Sequence, residues 1–262
     1  MTLSLLTSKL FPQAMTAKEI ELDLCKSYQR VLDDRLNNTG EILWDSLEPH
    51  NQVFRNKLSN YTSKYPFTLT YKFDSLSQNV GITSSDDKQF RIYDWDTWQG
   101  GTMHDFENVF QYKSGDNVFS KVFFDTVPDG NHDYYIPFYS EIYTLQTKDK
   151  KYYLAVYNGI YSTKDASQSI RIFTIENNLL NDTIKLIKTN KGLTNSIDVS
   201  FDFFSVVDRP ERPLRLIKYD SDKKIIYIPV VYENGKVTDR FIQYQFTGQY
   251  FEKISAQKKT DK

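Results

Sequence analysis

The residues best equipped for chemistry fall within one short stretch, Phe90-Arg91-Ile92-Tyr93-Asp94-Trp95-Asp96-Thr97-Trp98-Gln99-Gly100-Gly101-Thr102-Met103-His104. It holds two of the three tryptophans, two aspartates, a diglycine and one of the three histidines. If its first half is extended, Asp94 and Asp96 project from one face and Trp95 from the other. Their backbones then stand about 6–7 Å apart, and paired carboxylates of that kind can divide acid and base roles at a glycosidic bond. Trp98 offers a flat ring on which a sugar could stack. The candidate ligand-binding set is Asp94, Asp96, Trp98, Gly100, Gly101 and His104, and no residue is assigned a catalytic role. A simpler account uses the same residues: two aspartates on the wet face of a strand, Trp95 in the core and Gly100-Gly101 as turn chemistry.

Metal chemistry has weaker footing. His104, Asp105 and Glu107 carry ligand atoms, but a three-residue spacing suits a helix better than a strand. Asp129-Gly130-Asn131-His132-Asp133 begins like a calcium loop, yet Tyr134 stands where that loop needs glycine and Ser140 where it needs glutamate. No metal or cofactor is therefore assigned. The chain has no G-x-S-x-G elbow, H-E-x-x-H pair, Walker loop or G-x-G-x-x-G turn. The lone cysteine, Cys25, sits in an apolar helical context and reads as core.

A net charge of −1 gives no uniform field to attract nucleic acid or an anionic membrane. No stretch approaches the ~20 apolar residues of a membrane-spanning helix. The run Leu3-Ser4-Leu5-Leu6 is too short, and too poorly flanked by basic residues, for a secretory signal.

The elements that must position these residues follow from periodicity. Residues 1–65 read as a helical N-terminal segment. Thr16 and Glu19 form a capping box, and Ile20, Leu24, Tyr28, Val31 and Leu32 recur at helical spacing. Gly40 is the expected stop, Pro49 the expected break in a second helix, and Phe54, Leu58 and Tyr61 a third helical stretch ending before Pro66. Residues 66–254 read as an antiparallel β domain, beginning with the alternation of Phe67, Leu69, Tyr71 and Phe73. Similar alternation marks Ile197, Val199, Phe201 and Phe203, and again Ile242, Tyr244 and Phe246. Hairpins are expected at Lys148-Asp149-Lys150, at Asn177-Asn178 and, as a type I′ turn, at Asn234-Gly235. Residues 255–262 read as a disordered tail.

An apolar-Arg-apolar-apolar echo at Phe90, Ile170 and Leu214 recurs after 80 and 44 residues, near multiples of a propeller-blade period. The fold class is mainly β, an antiparallel meander of small propeller-like form, with a β-sandwich or barrel as the alternative.

The stretch from 84 to 113 resembles a group of Bacteroidota envelope proteins with no assigned activity. The resemblance rests on Tyr93, Trp95 and Asp96, on Gly100-Gly101-Thr102-Met103-His104, and on Gln111-Tyr112-Lys113. It implies a location in the periplasm or cell envelope and carries over no functional residue. The resulting expectation is a non-catalytic binding module for a glycan or protein ligand, with a rim of Trp98, Tyr134, Tyr135 and Tyr139. The alternative is a hydrolase using Asp94 with Asp96, or Asp96 with His104. The sequence assigns no oligomeric state. A site built on Trp98 predicts that Trp98→Ala loses ligand while circular dichroism is unchanged; retained binding would remove Trp98 from the site.

Overall fold

Thr16 and Glu19 start the first helix as expected. The Thr16 N–H donates to Glu19 Oε2 at 2.8 Å, and the Glu19 N–H donates back to Thr16 Oγ1 at 3.3 Å. The structure, a computed structural model, describes residues 14–35, 42–123 and 136–254. Gly40, the acidic loop with His132, Tyr134 and Tyr135, and the expected tail lie outside the described residues. Helix α1 (Ala17–Arg35) buries Ile20, Leu24, Tyr28 and Val31 against α2 (Trp44–Lys64). Pro49 does not break α2, and the two expected helical stretches around it are one helix. Proline forfeits a single backbone bond in the second turn, while Leu47, Asn51, Phe54 and Leu58 continue the buried face across it.

The expected first strand at 67–73 does not form. Pro66–Leu69 is a short 3-10 turn, and Phe73 adopts a positive φ of 53°. Two of the segment's carbonyls, those of Thr68 and Tyr71, are taken by side chains. Arg91 Nη1 donates to the carbonyls of Thr68 (2.8 Å) and Tyr71 (2.6 Å), and the Tyr93 hydroxyl donates to Thr68 O at 2.8 Å. Of the alternating residues, Leu69 and Phe73 are buried under a sheet instead of joining one, Tyr71 is half-buried, and Phe67 is exposed.

That sheet is a meander of β1 (Gly81–Ser84), β2 (Phe90–Asp96), β3 (Phe106–Ser114) and β4 (Asn117–Phe123). A second sheet takes β5 (Phe138–Gln146), β6 (Lys151–Ile160) and β7 (Asp165–Glu176), with β8 (Leu179–Asn181) turning back on β7. Asn177 and Asn178 both take positive φ in that turn, as a two-residue I′ hairpin requires. After β9 (Ile187–Thr189) and β10 (Gly192–Thr194), β11 (Ser196–Asp202) returns to pair with β7. A third sheet joins β9 and β10 to β12 (Lys218–Asp220), β13 (Ile225–Val231), β14 (Val237–Phe246) and β15 (Phe251–Lys253). All pairings are antiparallel except the short β9–β15 contact, which is parallel. At Asn234-Gly235 only Gly235 is left-handed, with φ 82°. The hairpin is thus a longer loop closed by glycine, not a type I′ turn.

The protein is mainly β, built as four layers: helices, first sheet, second sheet, third sheet. Tyr93, Trp95 and Val109 face the helices, whereas Phe90, Ile92 and Phe110 face Tyr139, Tyr153 and Phe173 of the second sheet. Leu154, Val156, Ile170 and Ile172 on its far side meet Ile187, Ile226 and Phe251 of the third. Two of the echoed segments lie in strands, in β2 and β7, and the third just precedes β12. Successive meanders stack face to face, the stack stays open, and no closed barrel forms among the described residues.

Arg91 is the polar clamp of the helix-side layer: removing it takes the side-chain donor from the half-buried Tyr71 carbonyl, while the Thr68 carbonyl keeps the Tyr93 hydroxyl. Arg91→Met is expected to cost about 1–3 kcal/mol, read as a lower urea midpoint at unchanged slope. A loss under about 1 kcal/mol would mean that apolar packing alone holds residues 66–73 in place.

Candidate functional site

Strand β2 carries the site, and β2 has almost no wet surface: every residue from Phe90 to Trp95 is buried. Asp94 and Asp96 do share a face, as the strand period requires, but that face looks at the second sheet, not at water. Asp94 is 4 % exposed. Its Oδ2 accepts the Tyr139 N–H at 3.2 Å, and a Cβ at Gly81 would overlap its carboxyl group. Burial raises its pKa to about 7, opposed only in part by the Tyr139 bond. Directly across the register stands Asn108, whose Nδ2 donates to Pro137 O while its buried Oδ1 has no donor. The solvated-surface account of these aspartates therefore fails for Asp94, because β5 covers it.

Asp96 has a different role at the strand end. Its Oδ1 accepts the Trp98 N–H at 2.8 Å, and its Oδ2 lies 2.5 Å from His104 Nδ1. The loop between them is tied down by the Thr97 N–H and hydroxyl, both bonded to Asp105 O, and by the His104 N–H on Ile160 O. Gly100 is required because a Cβ there would strike the Met103 carbonyl; Gly101 is required by its φ of 64°. With Nδ1 held, the His104 Nε2 makes no hydrogen bond among the described residues, and the imidazole side chain is 32 % exposed. Its ring stands edge-on to Trp98 at 5.9 Å and roughly parallel to Phe106 at 6.4 Å.

Trp98 is not an open platform. It sits at φ 60°, a costly conformation for a bulky residue, and the Arg35 guanidinium stacks 3.3 Å from its ring centroid. Tyr139, expected at the rim, is buried in the core. Trp95 is core as expected, with Nε1 donating to Asn51 Oδ1 at 3.0 Å. The six candidates thus divide: Asp96, Trp98, Gly100, Gly101 and His104 form one loop-end constellation, whereas Asp94 lies beneath it in a dry layer.

The helices contribute residues that spacing could not reveal. Arg55 pairs with Glu107 and lies 3.7 Å from Glu48, which in turn accepts from Gln99 Nε2. Burial raises Glu107 to about 7 against the pull of Arg55, and its Oε2 has no partner. Burial likewise raises Asp105 to about 6, opposed by the Ile136 N–H. Glu107 faces the helices, while its strand neighbour Phe106 packs on Phe138 of the second sheet. The proposed metal trio is split accordingly, and no three His, Cys, Asp or Glu side chains among the described residues are placed to hold a metal. No helix among the described residues is long and apolar enough to cross a membrane.

In comparisons with protein-family models, curated proteins and solved structures, nothing matches this chain.

The buried carboxyls make stability pH-dependent with a definite sign. Folded Asp94 holds its proton up to about pH 7, whereas the ordinary aspartate value is 3.8. Its contribution is therefore complete below about pH 4 and is lost as pH rises through 7. Asp94→Asn removes that loss, so its melting temperature should gain on the wild type from about pH 4 to about pH 7, reaching several degrees, and level off above pH 7. A constant difference across that range would mean that Asp94 is ionised in the folded protein.

Proposed function

We infer that the protein is a non-catalytic binding module that engages a glycan or protein ligand at the loop end of its sheet stack. The observation that carries this reading is the held imidazole of His104. Asp96 fixes the ring through Nδ1, the loop backbone fixes Asp96, and Nε2, which makes no hydrogen bond among the described residues, sits on a partly exposed ring flanked by aromatic side chains. An oriented donor or acceptor with its position already fixed costs little to engage. No serine, threonine or cysteine is bonded to His104, so a nucleophilic triad is not assembled among the described residues. A place in the cell envelope, implied by the resemblance of residues 84–113, belongs to the same proposal.

One observation favours a second reading. A carboxylate on Nδ1 with Nε2 free is the arrangement that orients a histidine to take a proton from water, which would suit a hydrolase using Asp96 and His104 in place of Asp94 and Asp96.

The two readings separate experimentally. With a panel of neutral oligosaccharides and peptides followed by calorimetry, His104→Ala should weaken binding about tenfold or more, and Asp94→Asn should not. Equal affinity in His104→Ala would eliminate the site. Turnover of chromogenic ester or glycoside substrates that is abolished in Asp96→Asn would replace the binding module with the hydrolase.

A further inference from the structure

Beside the His104 loop, on the same end of the stack, a groove of about 570 Å³ opens between the β6–β7 turn and the β13–β14 hairpin. A tyrosine stands on each wall, Tyr161 at 39 % exposure and Tyr232 at 50 %. Both rings are held. The Tyr161 hydroxyl bonds Ser167 Oγ at 3.1 Å, and Gly159 leaves room for it, since a Cβ there would overlap the hydroxyl end of the ring. Arg240 lies 5.6 Å from the Tyr232 ring centroid and reaches its hydroxyl at 3.4 Å.

The walls are tied to each other through the end of β11. The Asp202 N–H donates to Gly235 O at 2.9 Å and the Phe203 N–H to Lys164 O at 2.7 Å. Gly235 comes so close to Asp202 that a Cβ would press on its backbone nitrogen. The groove is therefore formed before any ligand arrives, which spares a ligand the cost of ordering it.

Its lining carries the polar side chains of Asp165, Ser200, Asp202, Glu233 and Asn234 and the ammonium of Lys164, with the Arg240 guanidinium behind Tyr232. Asp165 already accepts from Ser162 and Asp202 from the Phe204 N–H. Three carboxylates outnumber the Lys164 ammonium and the nearby Arg240 guanidinium, so the groove offers an anion no net positive field. Hydroxyl-rich ligands suit fixed acceptors, and the apolar face of a sugar ring suits an exposed tyrosine that is rigid and amphipathic.

We propose that the groove between Tyr161 and Tyr232 is a binding site for a neutral oligosaccharide. The inference deepens the binding-module reading, on which it rests, but uses none of the residues around His104.

The full chain is titrated calorimetrically with cellohexaose, maltohexaose, chitohexaose and, as a cationic control, hexalysine. At least one glycan should bind, about tenfold more weakly to Tyr232→Ala, with affinity kept in Tyr232→Phe, which retains the ring. Tyr232 is half-exposed on a hairpin, so the alanine variant keeps the fold, checked by its unfolding midpoint. Four results overturn the proposal: no glycan binding at millimolar concentration, unchanged affinity in Tyr232→Ala, affinity lost equally in Tyr232→Phe, or binding of hexalysine alone. Glycan binding lost in His104→Ala but kept in Tyr232→Ala would uphold the His104 site and reject the groove. The reverse pattern would uphold the groove and reject His104.

Discussion

Strand β2 has no dry-side and wet-side alternation to rely on: helices cover one face and the second sheet covers the other. Each polar side chain it carries must therefore find a partner inside the protein, because an unsatisfied buried group costs about 1–3 kcal/mol. The helix-side face meets this demand with Arg91 and Tyr93, which take the carbonyls of residues 68 and 71, and with Trp95, which donates to Asn51. Gln111, from the neighbouring strand, closes the network through the Thr62 carbonyl and the Thr68 hydroxyl. On the other face, Asp94 has one backbone donor, and burial pushes its pKa up to about 7. Layer order, the course of residues 66–73 and the docking of α2 all depend on these matches.

Where the strand leaves the stack, the same chemistry becomes available to solvent. Asp96 is the first carboxyl of β2 to escape full burial, and it holds His104. A second aspartate–histidine pair, Asp34 with His50, has the same 2.5 Å separation but a different position. It bridges α1 and α2, and the Asp34 carbonyl also receives the Leu43 N–H, so that pair staples two helices. The pair at His104 closes a loop whose neighbours at the end of the stack are the β6–β7 turn and, beyond it, the β13–β14 hairpin. Loops gathered at one end of a rigid stack can vary their side chains without disturbing the layers, which is why binding surfaces favour such places.

Much of this was legible from residue order. The capping box at Thr16, the hairpin turns, the sharing of a face by Asp94 and Asp96, the burial of Trp95 and the mainly β class all follow from local rules. Local rules failed where a distant partner competed. Residues 67–73 alternate like a strand, yet Arg91 and Tyr93, some twenty positions on, claim their carbonyls. Pro49 looks like a break, yet the apolar face of α2 runs through it. Trp98 looks like an open platform, yet Arg35 from the end of α1 lies on its ring.

What the sequence by itself determined are the features whose energy is settled within a few residues: helix starts, turn positions, strand faces, and the dense set of candidates between Asp94 and His104. Only the tertiary structure decided which of those faces would be dry. Alternation tells which side chains point together, but whether they meet water depends on which sheet is stacked against them. That stacking turned Asp94 into a buried, proton-holding carboxyl and left Asp96 to orient His104. It also set Tyr161 and Tyr232, seventy-one positions apart, on opposite walls of one groove, a juxtaposition that no spacing rule contains.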